Sequence, residues 1–305
     1  MPETDTDFRS LPLTELLRLL REEGEPSDPR TDIDTASLKR RFPRLAEVAM
    51  RDLSFDGGEG RAVPARVYRD VTAPASGRAL VWVHGGAFIG GHLDMPESHW
   101  VAMELAARGT PVLTLDYVKC LGATHFPEPS DDVLAGWWCA VAHAEELFGL
   151  PASAVLLGGA SAGGNLTAGV TARLRDAGDA MPAGLVLVYP VVHPNGPEAT
   201  AEVDPSSRHG EMVLNFAGTI EVLADPHAFA ALGPAAGFPP TLVLVCEHDE
   251  LRPSGEAFAR QLGDAGVPVS LRVEPGAAHG HINEPSDPTA LPTVKAIADW
   301  IGGLP

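Results

Sequence analysis

With 305 residues, 45% of them apolar, the chain is long enough for one large α/β core with a small appended cap. A formal net charge of −19 repels nucleic acid and anionic membranes, so neither is expected as a partner. No apolar run reaches the roughly 20 residues that span a bilayer. The acidic opening Met1-Pro2-Glu3-Thr4-Asp5-Thr6-Asp7 lacks the features of a signal peptide, and a cytoplasmic location is expected.

Taken in chain order, residues 1–47 read as helical and charged. Leu13, Leu16, Leu17 and Leu20 recur at helical spacing, a Pro- and Asp-rich break follows, and a second short helix is expected over 35–42. Strands near 48–55 and 62–68 flank Asp56-Gly57-Gly58-Glu59-Gly60, strong turn chemistry that predicts a hairpin. Six short apolar runs come next, at 79–83, 111–115, 154–157, 185–189, 241–246 and 269–273. Helical patterns lie between most of them, at 96–108, 131–147, 162–176 and 254–265, with a last one at 289–301. Trp137 and Trp138 are both expected in the core. Strands apolar throughout and joined by helices predict a parallel sheet covered on both faces. Residues 192–237 break the alternation. Rich in Pro, Gly and Ala, they are read with residues 1–47 as a cap over a core of 48–191 and 238–305. Cys120, Cys139 and Cys246 are odd in number and widely spaced, which predicts no disulfide framework.

The central chemical feature is Gly159-Ala160-Ser161-Ala162-Gly163, a G-x-S-x-G between an apolar strand and a helix. That strand–turn–helix context exposes a serine hydroxyl at the edge of a sheet, which makes Ser161 the expected nucleophile. A hydroxyl needs a base, and the base needs an orienting acid. In this arrangement the chain order is Ser, acid, His. His279 lies in the loop after the last strand and is the expected base, with His281 as the competitor. His193, His209 and His227 fall in the cap and read as surface residues. For the acid, Glu247, Asp249 and Glu250 all follow the preceding strand, and Asp249 is favoured because the loop has begun there. His84-Gly85-Gly86-Ala87-Phe88 follows the strand at 79–83. Backbone N–H groups of Gly85 and Gly86, with that of Ala162, are expected to form an oxyanion hole. His84, Ala87, Phe88, Ala160 and His281 are expected to contact substrate. His279-Gly280-His281 lacks further ligands at recognisable spacing, so no metal is expected.

These segments, with Asp249-Glu250-Leu251-Arg252, Tyr189-Pro190 and Phe238-Pro239-Pro240, resemble the bacterial hormone-sensitive-lipase family of esterases over residues 45–303. The resemblance implies an α/β-hydrolase fold, with an eight-stranded, mostly parallel sheet under a helical cap. It also implies a carboxylester hydrolase that uses no cofactor and acts on small, short-acyl or aryl esters. Ala160 departs from the family, which usually has Asp there. Val118-Lys119-Cys120-Leu121-Gly122 replaces the usual Arg-Leu-Ala-Pro-Glu, and His281 stands where an aromatic residue is common. Related acyl chemistry (lactone hydrolysis, deacetylation, acyl transfer) and a non-catalytic ligand receptor are the competing functions. The sequence leaves oligomeric state open, a homodimer included.

Overall fold

The computed structural model describes residues 11–24, 33–197 and 203–305. Eight strands form one sheet: β1 (Ala49–Asp56), β2 (Ala62–Arg69), β3 (Ala79–Val83), β4 (Val112–Leu115), β5 (Val155–Ala160), β6 (Leu185–Val188), β7 (Thr241–His248) and β8 (Val269–Ala278). Their order across the sheet is β1-β2-β4-β3-β5-β6-β7-β8. β2 pairs antiparallel with both neighbours, the first of them through the expected hairpin, and every other pairing is parallel.

The central strands are buried along their whole length, yet their side chains still alternate between two cores. Val81, Val83, Leu157, Leu187 and Val243 pack on one face against α4 (Glu128–Ala142), α6 (Ala162–Ala177) and α8 (Arg252–Asp264). Leu80, Trp82, Leu156, Val186 and Leu244 pack on the other, against α3 (His99–Ala106) and α9 (Ala290–Gly302). The period of two persists because the pleat sets side-chain direction whatever covers the sheet. The short helix α5 (Ala144–Phe148) continues from α4. Trp137 is buried, but Trp138 is 38% exposed, contrary to the core position expected for both. A helix turns about 100° per residue, and that rotation carries Trp138 out of the face that buries Trp137.

The N-terminal helices part company. α1 (Leu13–Glu23) places Leu13 and Leu16 in the same core as Val213 and Phe216 of α7 (Arg208–Ala217), and Arg208 Nη1 donates to the Leu11 carbonyl at 3.1 Å. α2 (Thr35–Arg41) instead joins the opposite face, where Leu38 and Phe42 pack with Trp100. Asp34 caps α2 by accepting from the Ser37 N–H. Among the described residues the two segments read as a cap meet at α1 and α7. Of those segments, residues 1–10, 25–32 and 198–202 lie outside the described residues.

Candidate active site

The turn from β5 to α6 has no room for side chains. A Cβ on Gly163 would overlap the Val83 carbonyl, and one on Gly159 would overlap the backbone of Gly163. Between them Ser161 adopts φ 52°, ψ −117°, a conformation that costs a non-glycine residue about 1–3 kcal/mol. Tight packing on both sides holds it there. The serine sits at the N-terminus of α6, whose unpaired N–H groups present partial positive charge.

Three side chains from three strand ends converge. Ser161 Oγ lies 2.9 Å from His279 Nε2, and His279 Nδ1 lies 2.8 Å from Asp249 Oδ2. Asp249 follows β7 and His279 follows β8, so the parallel sheet delivers both at the same edge as Ser161. Asp249 is almost completely buried, at 4% side-chain exposure, and its Oδ1 also accepts from the Leu251 N–H at 2.9 Å. Glu247 is turned away and accepts from the Gly276 N–H at 2.7 Å, while Glu250 is exposed. With its Nδ1 facing a carboxylate, the imidazole is oriented to accept a proton at Nε2.

The glycine loop after β3 is arranged differently from expectation. The one N–H of Gly85 donates to Glu97 Oε1, a buried carboxylate, so it is not free for an incoming oxygen. The N–H groups of Gly86 and Ala87 have no protein acceptor among the described residues. Gly86, Ala87 and Phe88 have φ of 108°, 53° and 65°, a tight left-handed turn. The available donors are therefore Gly86, Ala87 and Ala162, one residue further along the loop than expected. Tyr117 braces the loop from behind, its hydroxyl donating to the Gly85 carbonyl at 3.0 Å.

Other expected contact residues are also displaced. His84 is fully buried, stacked on Tyr117 at 4.8 Å, with Nδ1 2.7 Å from the Gly85 carbonyl. Burial pushes its pKa down. Ala160 is fully buried in the second core. His281 packs behind the site, not on an open wall: Nε2 is 2.8 Å from Thr293 Oγ1 and Nδ1 is 3.2 Å from the Ala278 carbonyl. Burial lowers its pKa as well. Only Ala87 of the five is partly open; Phe88 is buried and stacks on Phe216 of α7 at 3.9 Å. Phe126 and Phe229 meet Phe216 edge-on at 5.8 Å each, so an aromatic cluster ties the loop to α7. All three cysteines are free. Among the described residues no helix is long and apolar enough to cross a membrane.

Two residues near the triad escaped the sequence reading of the site. Tyr189 packs its ring 4.8 Å from that of His279, and its hydroxyl donates to Glu97 Oε2 at 2.6 Å. Burial, together with the Glu97 charge, holds its phenol well above the usual tyrosine range. Glu97 itself precedes α3 in a stretch where a buried acid has the same appearance as a solvated one.

Comparison with known proteins agrees with this architecture. Residues 80–283 match a family model described as the alpha/beta hydrolase fold. The chain is 33% identical to an ethyl acetate hydrolase from Pseudomonas putida, over 81% of each protein. It is 29% identical to the carboxylesterase NlhH of Mycobacterium tuberculosis, over 79% of this chain and 77% of that one. A solved bacterial heroin esterase superposes with a TM-score of 0.72 at 29% identity, covering 86% of each chain. With its sheet order, its strand–serine–helix turn and its matched span, the chain belongs to the α/β-hydrolase family, among the esterases related to hormone-sensitive lipase.

Proposed function

We propose that this protein is a serine carboxylesterase that hydrolyses small, short-acyl esters through an acyl-enzyme intermediate. The observation that carries the reading is the continuous hydrogen-bonded line from Ser161 through His279 to Asp249. His279 Nε2 takes the hydroxyl proton as Ser161 Oγ attacks the ester carbonyl. The carbonyl oxygen becomes negative and is received by the Gly86, Ala87 and Ala162 N–H groups at the positive end of α6. The imidazolium, stabilised by Asp249, then protonates the departing alkoxide. Water repeats the sequence on the acyl-enzyme and releases the acid.

Short acyl groups are favoured by the packing of the cap. Phe88, at the end of the oxyanion loop, is covered by Phe216, and Phe126 and Phe229 close the cluster. Interiors filled this densely leave little space for a long chain. α7 bears on this site through Phe216, and α1 packs against α7. The name of the P. putida relative, an ethyl acetate hydrolase, is in keeping with a small acyl group.

The test is a series of p-nitrophenyl esters of graded chain length, with mass-spectrometric mapping of a serine-directed phosphonate. Acetate and butyrate esters should be turned over faster than octanoate, and the label should sit on Ser161. Label on another serine, or no ester turnover, would remove the proposal.

A further inference from the structure

Backbone strain gathers around the site. Among the described residues, five non-glycine positions have positive φ, and four of them are Ala87, Phe88, Ser161 and Tyr189. Each such conformation is strained for a residue with a side chain and persists only where surrounding contacts hold it. Tyr189, at φ 37°, directly follows β6, and Ala87 and Phe88 follow β3. One side chain spans these two strained segments. Glu97 Oε1 accepts from the Gly85 N–H, and its Oε2 accepts from the Tyr189 hydroxyl.

Glu97 is itself fixed through its main chain. Its carbonyl accepts from Trp82 Nε1 at 2.8 Å, and its N–H donates to Asn283 Oδ1 at 2.9 Å. Asn283 lies in the turn that follows His279 and His281. The carboxylate also approaches the nucleophile from behind: an ideal Cβ on Gly85 would lie 2.6 Å from Glu97 Oε1 and 3.0 Å from Ser161 Cβ. A buried carboxylate in such a place is costly unless its oxygens accept strong hydrogen bonds. Here both do, from donors on opposite sides of the site.

We propose that Glu97 is a positioning residue of the active site, clamping the oxyanion loop to Tyr189 and thereby fixing the ring against which His279 packs. Holding the Gly85 N–H leaves the next two amides for the substrate oxygen. Holding the Tyr189 hydroxyl keeps that ring 4.8 Å from the His279 ring and 5.6 Å from that of His281. The carboxylate makes no contact with the reacting atoms. This role rests on the esterase reading above.

The experiment compares the full chain with Glu97→Gln, Tyr189→Phe and the double variant, using p-nitrophenyl acetate. Turnover is expressed per active site titrated with a serine-directed phosphonate, and melting temperature is measured alongside. Gln retains the size of Glu but can offer an acceptor to only one of the two donors without rearrangement. Glu97→Gln should lower kcat per titrated site by about 10- to 100-fold with KM changed less than about threefold. Tyr189→Phe should lose less, and the double variant should lose no more than Glu97→Gln alone, because one network is broken only once. Unchanged kcat per titrated site in Glu97→Gln, or losses that multiply in the double variant, would overturn the proposal. If Glu97→Gln does not fold, Tyr189→Phe decides alone, since it removes one hydroxyl: a fall in kcat per site supports the clamp and full kcat overturns it. Failure of the native protein to turn over ester or to label at Ser161 would remove the esterase reading and this role together. An active native protein with an indifferent Glu97→Gln would remove only the role of Glu97.

Discussion

Ser161 Oγ and His279 Nε2 stand 2.9 Å apart across 118 residues of chain. Nothing local joins them; parallel strands β5 and β8 end at the same sheet edge and bring them together. Replacing either group should abolish catalysis without unfolding the protein. Ser161→Ala and His279→Ala are each expected to lower kcat by about 10³- to 10⁶-fold, with the far-ultraviolet spectrum and melting temperature nearly unchanged. Steady-state kinetics on p-nitrophenyl acetate check this, and an active alanine variant would remove the assignment.

Asp249 is distinguished from its acidic neighbours by where its carboxylate points. Asp249→Asn should lower kcat by about 10²- to 10⁴-fold, because the amide can favour the wrong imidazole tautomer. Glu250→Gln, at an exposed position, should remain within about threefold of the native rate. The opposite ranking would place the acid at Glu250.

The elbow glycines make a prediction about stability. Gly163→Ala places a methyl group against the Val83 and His84 carbonyls, where rigid backbone cannot retreat. The cost should be several kcal/mol, about 2–4, seen as a lower melting temperature or as insoluble protein. Gly302→Ala, with nothing near its Cβ, is the matched control and should be neutral or slightly stabilising.

Phe216, stacked on Phe88, is where the proposed limit on acyl length is tested. Phe216→Ala removes the ring stacked 3.9 Å from Phe88 and opens space beside the oxyanion loop. The ratio of octanoate to acetate kcat/KM should rise by about tenfold, at a stability cost of about 3–5 kcal/mol. An unchanged ratio in folded protein would separate this aromatic cluster from the acyl site.

Acid should destabilise the fold through its buried histidines. His99 bridges α2 and β2, with Nε2 2.9 Å from Thr35 Oγ1 and Nδ1 2.9 Å from the Tyr68 hydroxyl. Burial, reinforced by the Arg66 charge, pushes its pKa down to about 4. Burial lowers those of His84 and His281 too. Folding then requires the neutral rings, whereas the unfolded chain binds their protons below about 6.5. Their contribution is complete above that pH and declines as pH falls through 6.5 toward 4. Melting temperature measured from pH 7.5 to 4.5 should fall across this window, and His99→Gln should flatten the slope. A melting temperature that rises on acidification would contradict the sign.

The uninterrupted apolar runs and the helices between them made the doubly covered sheet legible, because burial pattern is a local property of the chain. The strand–Gly-x-Ser-x-Gly–helix segment marked Ser161 for a related reason: its backbone turn admits only small neighbours, and those are written in adjacent positions. Chain order and loop position brought His279 and Asp249 into consideration, but Glu247, Asp249 and Glu250 are chemically alike, and only the strand ends decided which carboxylate meets the imidazole. The tertiary structure alone moved the unpaired loop amides along the loop, since the acceptor that occupies the Gly85 N–H comes from Glu97, twelve residues further along the same β3–α3 connection, which folds back on itself. It also turned His84, Ala160 and His281 inward and placed α2 on the face opposite α1 and α7. Local sequence determines what conformation a segment favours and which chemistry it carries. Which donor is already satisfied, and which polar ring is buried, depends on contacts between distant segments, and those exist only once the sheet has closed its two cores.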